Sequence, residues 1–325
     1  MTIAAMNRRG FLHLGATAAA AAIVPRWMMA QASTSTGQTP APVTDRLAQM
    51  RNSATAAPIK STKLYDNLYL LQGAGGDMAV QTGPDGKLLI DSSFSTAVPR
   101  LREALNGLGS DPAHMLINTH WHIDHTDGNE GMHDSGFTIF AHSMTRERLA
   151  RPQNMKLIGM ALPAAPAGAL PAVTFDDTMR LWHNGDSLSL VHYDSAHTDS
   201  DIYVHFEKAN VLHVGDTWFN GFYPFIDEGS GGNIHGMIQA TEKALVLAGN
   251  DTKIIPGHGP LGTKSQLREF HDMLAGVRDQ VAKLKAAGAS EQEAVAKKPT
   301  ADFDSVWNKG SFPPDMFVGI VYRTL

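Results

Sequence analysis

The chain has 325 residues, of which 43% are hydrophobic and 18% charged, enough to bury the core of one sizeable domain. Its formal net charge is −5 with no cluster of lysine and arginine, which argues against gripping a phosphate backbone and so against nucleic acid as a partner. There is no cysteine, which excludes disulfides, a thiolate nucleophile and thiolate metal ligands.

Residues 1–32 read as an export signal. Asn7-Arg8-Arg9-Gly10-Phe11-Leu12 resembles the twin-arginine motif, a mildly apolar run follows from Leu14 to Val24, and Ala30-Gln31-Ala32 offers a small-x-small cleavage site. The apolar run falls short of the ~20 residues a bilayer span needs, so no stable membrane anchor is expected. The expected location is the periplasm or the exterior, reached by the twin-arginine pathway. Removing this segment takes away three arginines and no acid, and moves the net charge from −5 to −8. Residues 33–60 are rich in Ser, Thr, Ala and Pro and read as a flexible lead-in, which leaves 61–325 as the domain.

Strand patterns begin near Lys63 and are expected at 64–71, 78–81 and 87–91, with a Pro84-Asp85-Gly86 turn between the last two. Asp91 closes the third strand, a place for a turn former as much as for a functional acid. Helical spacing runs from 97 to 108, and the apolar run His114-Met115-Leu116-Ile117-Asn118 reads as a buried strand. Directly after it comes Thr119-His120-Trp121-His122-Ile123-Asp124-His125-Thr126-Asp127-Gly128. Three imidazoles and a carboxylate within six residues are costly to bury without partners. They are also the ligand types that a borderline divalent ion such as zinc prefers.

A strand is expected at 137–141 and a helix at 143–150, with His142 between them in a structural role. Residues 151–175 hold four prolines among small apolar side chains, and read as a long loop with little secondary structure. Further strands are expected at 178–182, 187–193, 201–206, 211–214 and 253–255. Helices are expected at 234–248, 264–287 and 291–298, with another at 314–325. Strands followed by helices occur twice, as a two-layer β core flanked by helices requires.

The His120 stretch resembles the metal-binding signature of the metallo-β-lactamase superfamily. Ala196-His197-Thr198-Asp199, Val214-Gly215-Asp216-Thr217 and Pro256-Gly257-His258-Gly259 follow in the right order, and the likeness covers roughly residues 63–268. The resemblance implies an α/β fold, the single-domain αββα sandwich, with metals at one edge. It implies two zinc ions, with iron or manganese less favoured. His120, His122 and His197 would hold the first ion and Asp124, His125 and His258 the second, with Asp216 bridging. Asp124 would also serve catalysis by aiming a hydroxide and passing on its proton. Asp91 would support the histidine loop, and the 151–175 loop would be a substrate lid.

Departures from the lactamase pattern narrow the expectation. Asp216 stands where cysteine-ligated lactamases place their cysteine, and Phe219 stands where they place a lysine that grips the substrate carboxylate. A bridging aspartate is the pattern of the thioesterase (glyoxalase II-like), lactonase and phosphodiesterase branches. Gly232-Asn233 resembles a segment whose asparagine supports an oxyanion, although Asn233 is equally placed to cap the following helix. Trp218, Phe219, Phe222, Tyr223 and Phe225, with Trp121, either wall an apolar substrate pocket or pack as core, and Tyr223 is the one expected to reach substrate.

The expected function is thus an exported dinuclear zinc hydrolase of a small ester, lactone, thioester or amide, with weak β-lactamase activity. The alternative is an iron-dependent oxygen or persulfide redox enzyme on the same fold. The pattern does not set an oligomeric state.

Overall fold

The computed structural model describes residues 43–325, so the expected export signal and the first ten residues of the lead-in lie outside the described residues. The rest of the lead-in departs from the expectation of flexibility. Helix α1 (Val43–Thr55) occupies it, followed directly by β1 (Lys60–Tyr65). Its polar composition hides the helix, which long-range contacts hold. Ala54 is buried with Ala74, Phe94 and Ala97, and Arg51 pairs with Asp127 at 2.5 Å.

Strands β2 (Leu68–Gln72), β3 (Met78–Gln81) and β4 (Lys87–Ile90) continue β1 as an antiparallel meander. Helix α2 (Val98–Gly107) then crosses to β5 (Ala113–Ile117), which pairs parallel with β4. Two short helices, α3 (Ile123–Thr126) and α4 (Asn129–His133), lead to β6 (Thr138–His142) and α5 (Ser143–Leu149). His142 is structural: its Nδ1 accepts from the Met144 amide at the start of α5, and its Nε2 donates to the Asp176 carbonyl at 2.8 Å.

The 151–175 segment carries more structure than its composition suggests. It forms a hairpin of β7 (Gln153–Met155) and β8 (Met160–Leu162), then β9 (Val173–Phe175), which joins the first sheet parallel to β6. The second sheet is antiparallel through β10 (Thr178–His183), β11 (Asp186–His192), β12 (Ile202–Phe206) and β13 (Val211–His213). After α6 (Ile234–Leu247), strand β14 (Lys253–Ile255) adds parallel to β13. Helices α7 (Lys264–Ala286), α8 (Glu291–Ala296), α9 (Asp304–Trp307) and α10 (Pro314–Thr324) complete the chain.

The order of strands in the sheets is β1-β2-β3-β4-β5-β6-β9 and β10-β11-β12-β13-β14. Their facing sides share one core: Leu88, Ile90, Met115 and Ile117 meet Leu188, Leu190, Ile202 and Val204. The alternate residues Leu89 and Leu116 turn the other way, to pack with Val98, Leu101 and Leu105 of α2. Behind the second sheet, Leu212 and Ile254 pack with residues of α6, α7 and α10, including Met237, Phe270 and Phe317. This helix–sheet–sheet–helix layering is the expected αββα sandwich. It also explains why the central strands read as continuous apolar runs, since both of their faces are covered.

Candidate metal centre

The chemistry-bearing residues sit on turns that follow strands. His120, His122 and His125 follow β5, His197 lies between β11 and β12, Asp216 follows β13 and His258 follows β14. Rigid strands therefore deliver each side chain to one end of the sandwich. Two groups form there: His120, His122, His197 and Asp216, and beside them Asp124, His125 and His258. Asp216 joins the two, with Oδ1 3.0 Å from His125 Nε2 and Oδ2 3.3 Å from His258 Nε2 and 3.4 Å from His197 Nε2. His120 Nε2 lies 3.8 Å from the same carboxylate. Asp124 Oδ2 is 3.2 Å from His258 Nε2 and 3.8 Å from His125 Nε2.

The outer partners fix which nitrogen of each ring faces inward. His125 Nδ1 donates to Asp91 Oδ2 at 2.7 Å. Asp91 also accepts from the Thr119 amide at 2.8 Å and the Thr119 hydroxyl at 2.7 Å, and that hydroxyl lies 3.1 Å from His120 Nδ1. His197 Nδ1 donates to the Phe225 carbonyl at 2.8 Å, and His122 Nε2 donates to Asp227 Oδ2 at 3.1 Å. Asp227 is itself held by Ser230 Oγ at 2.6 Å. Of the two roles open to Asp91 in the sequence, the structure selects support of the histidine loop. The residue adopts φ of 60°, a left-handed conformation that the carboxylate's three bonds hold in place.

These tautomers test whether the residues suit metal ions. With Nδ1 of His197 and Nε2 of His122 both committed as donors, the remaining nitrogens present lone pairs to each other at 2.8 Å. Two lone pairs at that distance repel unless a cation lies between them. Nε2 of His120 is buried with no hydrogen-bond partner, and Nε2 of His125 and Oδ1 of Asp216 face each other at 3.0 Å without hydrogen-bond geometry. Buried polar atoms are seldom left unpaired. Nitrogens and carboxylates converging in this way fit divalent ions of the zinc type, and the rings of His120, His122, His125 and His197 are each backed by an outer partner, as metal-binding histidines usually are.

Electrostatics agree. Burial pushes Asp216 up, but His258, His125, His120 and His197 outweigh it and hold the carboxyl well below the ordinary range. Burial pulls His258 down, yet Asp216 and Asp124 drive it up to about 10. His197 is pulled down to about 4, chiefly by burial. Close packing needs glycine at two points: a Cβ at Gly76 would lie 2.0 Å from His125 Cε1, and one at Gly257 would lie 1.9 Å from Asp216 Oδ1.

The match to known proteins agrees with this geometry. The family model described as the metallo-beta-lactamase superfamily matches residues 74–258. The chain belongs to the metallo-beta-lactamase superfamily. A search of curated proteins gives no match. Among solved structures, the stereoselective inverting sec-alkylsulfatase Pisa1 from Pseudomonas sp. aligns with a TM-score of 0.63 at 19% identity, over 85% of this chain and 51% of that one. This chain thus spans about half the alkylsulfatase's length. The metallo-beta-lactamase from Pontibacter korlensis aligns with a TM-score of 0.54 at 17% identity, over 67% of this chain and 99% of that one. At these identities the likeness is one of fold. Within the superfamily's sandwich, the His/Asp clusters of this chain are able to bind metal ions.

Two expected substrate contacts lie elsewhere. Tyr223 is fully buried, stacked on Phe317, with its hydroxyl donating to Asp304 at 2.9 Å and lying 3.2 Å from the Thr300 carbonyl. The tyrosine is core because α10 and the short α9, which local spacing did not mark, pack over it from segments distant in sequence. Asn233 caps α6: its Oδ1 accepts from the Gly236 amide and its Nδ2 donates to the Ser195 carbonyl, both at 2.8 Å. Its second N–H points to the Gly231 carbonyl at 3.4 Å, so the acceptor and both donors of the amide are engaged. Of the aromatic segment, Phe219 and Phe225 line the cleft beside the metal cluster, whereas Trp218 and Phe222 are packed in the core. Phe219 stacks on His258 with ring centroids 5.1 Å apart, an apolar wall where the lactamase lysine would be.

That cleft, about 60 Å³, is also lined by Arg46 and Met50 of α1, Met155 and Met160 of the hairpin, Ile158 and Phe312. Sequence reasoning missed Asp227 and α1 as parts of the site. Asp227 carried no spacing signal, and α1 lies in the stretch read as lead-in. A larger neighbouring cleft of about 250 Å³ is lined by Trp121, Arg51, Arg148 and residues 162–166.

Proposed function

We propose that this protein is an exported dinuclear zinc hydrolase that cleaves a small ester, lactone, thioester or amide. The observation that carries the reading is the ring-nitrogen pair of His122 and His197 at 2.8 Å, next to the unpartnered Nε2 of His120 and the His125 Nε2 that faces Asp216 Oδ1 at 3.0 Å. His120, His122 and His197 would hold one ion, and Asp124, His125 and His258 the other, with Asp216 serving both. Two zinc ions so held supply Lewis acidity and lower the pKa of water towards ~7.

The chain's own groups do the rest. Burial raises Asp124, but His125 and His258 outweigh it and keep its carboxyl below the ordinary range, so it is ionised at neutral pH. It borders the cleft, so it can accept the proton of the attacking water and return it to the leaving group. Asp91 and Asp227 keep His125 and His122 in the tautomers that leave the inward nitrogens free. Met155, Met160, Phe219, Phe225 and Phe312 keep bulk water from the cleft and favour an apolar substrate body.

The test is metal analysis of the purified protein beside a panel of aryl ester, lactone, thioester, β-lactam and alkyl sulfate substrates. Two zinc ions per chain and turnover of a carboxylic ester, lactone, thioester or amide support the reading. Two iron ions with visible colour and no hydrolysis would move it to the redox alternative. Turnover of alkyl sulfate alone would replace the acyl substrate class. For export, changing Arg8 and Arg9 to lysine should hold the protein in the cytoplasm, and unchanged periplasmic recovery refutes that route.

A further inference from the structure

Arg46, like Arg100, Arg102 and Arg146, has no carboxylate partner among the described residues, but of these four it is the one that lines the cleft beside the metal cluster. Arg51, Arg148, Arg180 and Arg323 each pair with a carboxylate, at 2.5 to 2.9 Å or closer. Arg46 is half-buried, and among the described residues its one polar contact is a hydrogen bond from Nη1 to the Ile158 carbonyl. Burial pulls it below the ordinary guanidinium range, and no neighbouring acid offsets that pull. A guanidinium carries five N–H donors and stays charged, so most of its donors have no acceptor among the described residues. Desolvating a cation without a counter-charge is costly unless something else supplies the charge.

Its position says what that could be. Arg46 and Met50 lie one turn apart on α1, so they share a helix face, and both line the cleft that holds Asp124, Asp216 and His258. The helix is fastened by its next turn, where Arg51 binds Asp127 and Thr96 Oγ1 bonds the Arg51 carbonyl. The face bearing Arg46 is therefore fixed in the cleft wall. Around it are Met155, Ile158, Met160 and Phe312, which offer apolar contact and no counter-ion.

We propose that Arg46 is the anion-binding subsite of this cleft, and that the substrate is an apolar ester or lactone carrying a carboxylate. This deepens, and rests on, the hydrolase reading. A carboxylate can take two parallel N–H donors from the guanidinium while its hydrocarbon part lies along the methionines and Phe312. Arg46 thus supplies from the N-terminal helix the cation that is lacking at Phe219 on the opposite side of the sequence.

The experiment uses the zinc-loaded protein and two substrates of matched length, 4-nitrophenyl butyrate and mono-4-nitrophenyl succinate. It compares wild type with Arg46→Gln and Arg46→Lys, and adds calorimetric binding of hexanoate against hexanamide. In Arg46→Gln, KM for the succinate ester should rise at least tenfold with kcat within about twofold. The butyrate ester should be unaffected, and hexanoate should lose at least tenfold in affinity while hexanamide does not. Arg46→Lys should recover part of the loss. Equal hexanoate affinity in wild type and Arg46→Gln would place the anion elsewhere and overturn the subsite. An equal loss on both esters with a lowered Tm would also overturn it, by making Arg46 a tie between α1 and Ile158. If wild type cleaves neither ester, the hydrolase reading fails on that panel, while the hexanoate comparison still decides the subsite.

Discussion

Asp91→Asn is the sharpest probe of how the centre is built. Asparagine keeps the shape and tolerates the left-handed backbone at φ of 60°. It replaces one acceptor oxygen with a donor, however, in a fully buried place where three donors converge. If the amide oxygen stays against the Thr119 N–H, the new NH2 faces His125 Nδ1. That ring must then shift its proton to Nε2, the atom that looks at Asp216. If the amide flips, NH2 faces the Thr119 N–H, and two donors oppose each other without water.

Either way the cost is about 1–3 kcal/mol, the penalty for a buried donor left unsatisfied. Loss of an outer acceptor behind a ligating histidine typically weakens a metal site about 10–100-fold, or about 1.4–2.7 kcal/mol. A zinc titration against a chromophoric chelator should show weaker binding by that factor, chiefly of one ion. Thermal unfolding of the metal-free protein should show a lowered Tm. Zinc affinities within twofold of wild type at both sites would refute the role assigned to Asp91.

Three other outcomes are expected. Asp216→Asn should lower zinc content from about two ions towards one and cut turnover at least ~100-fold with the fold kept; two tightly bound ions and near-normal rates would remove Asp216 as the shared ligand. Tyr223→Phe should cost about 1–2 kcal/mol of stability through the lost bonds to Asp304 and Thr300, with kcat/KM within twofold; a tenfold fall in kcat/KM at unchanged Tm would return Tyr223 to the substrate. In the metal-free protein His258 is raised to about 10, above its unfolded value near 6.5, so its stabilisation is complete below about pH 6.5 and fades as pH rises through about 10. Zinc must displace that proton at pH 7, so calorimetry in buffers of different ionisation enthalpy should show proton release, and a buffer-independent enthalpy would contradict the assignment.

The sandwich was legible because its signals are local. Short continuous apolar runs marked β2, β4 and β5, and glycine-rich turns helped to separate the strands. The order of the His120, His197, Asp216 and His258 motifs was legible too, since each follows a strand end that local pattern reveals. Other features needed the folded chain. Which nitrogen of His122 faces the centre depends on Asp227, 105 residues away, and that of His197 depends on the carbonyl of Phe225. Tyr223 looked like a substrate contact until α9 and α10 closed over it, because burial is set by elements distant in sequence. α1 has a weak pattern of its own and takes its place from Ala54, Arg51 and Asp127, so its Arg46 became part of the cleft only through tertiary packing. Residue type and spacing fix which ligands the chain offers, whereas proton positions, cleft walls and unpaired charge arise only when remote segments meet.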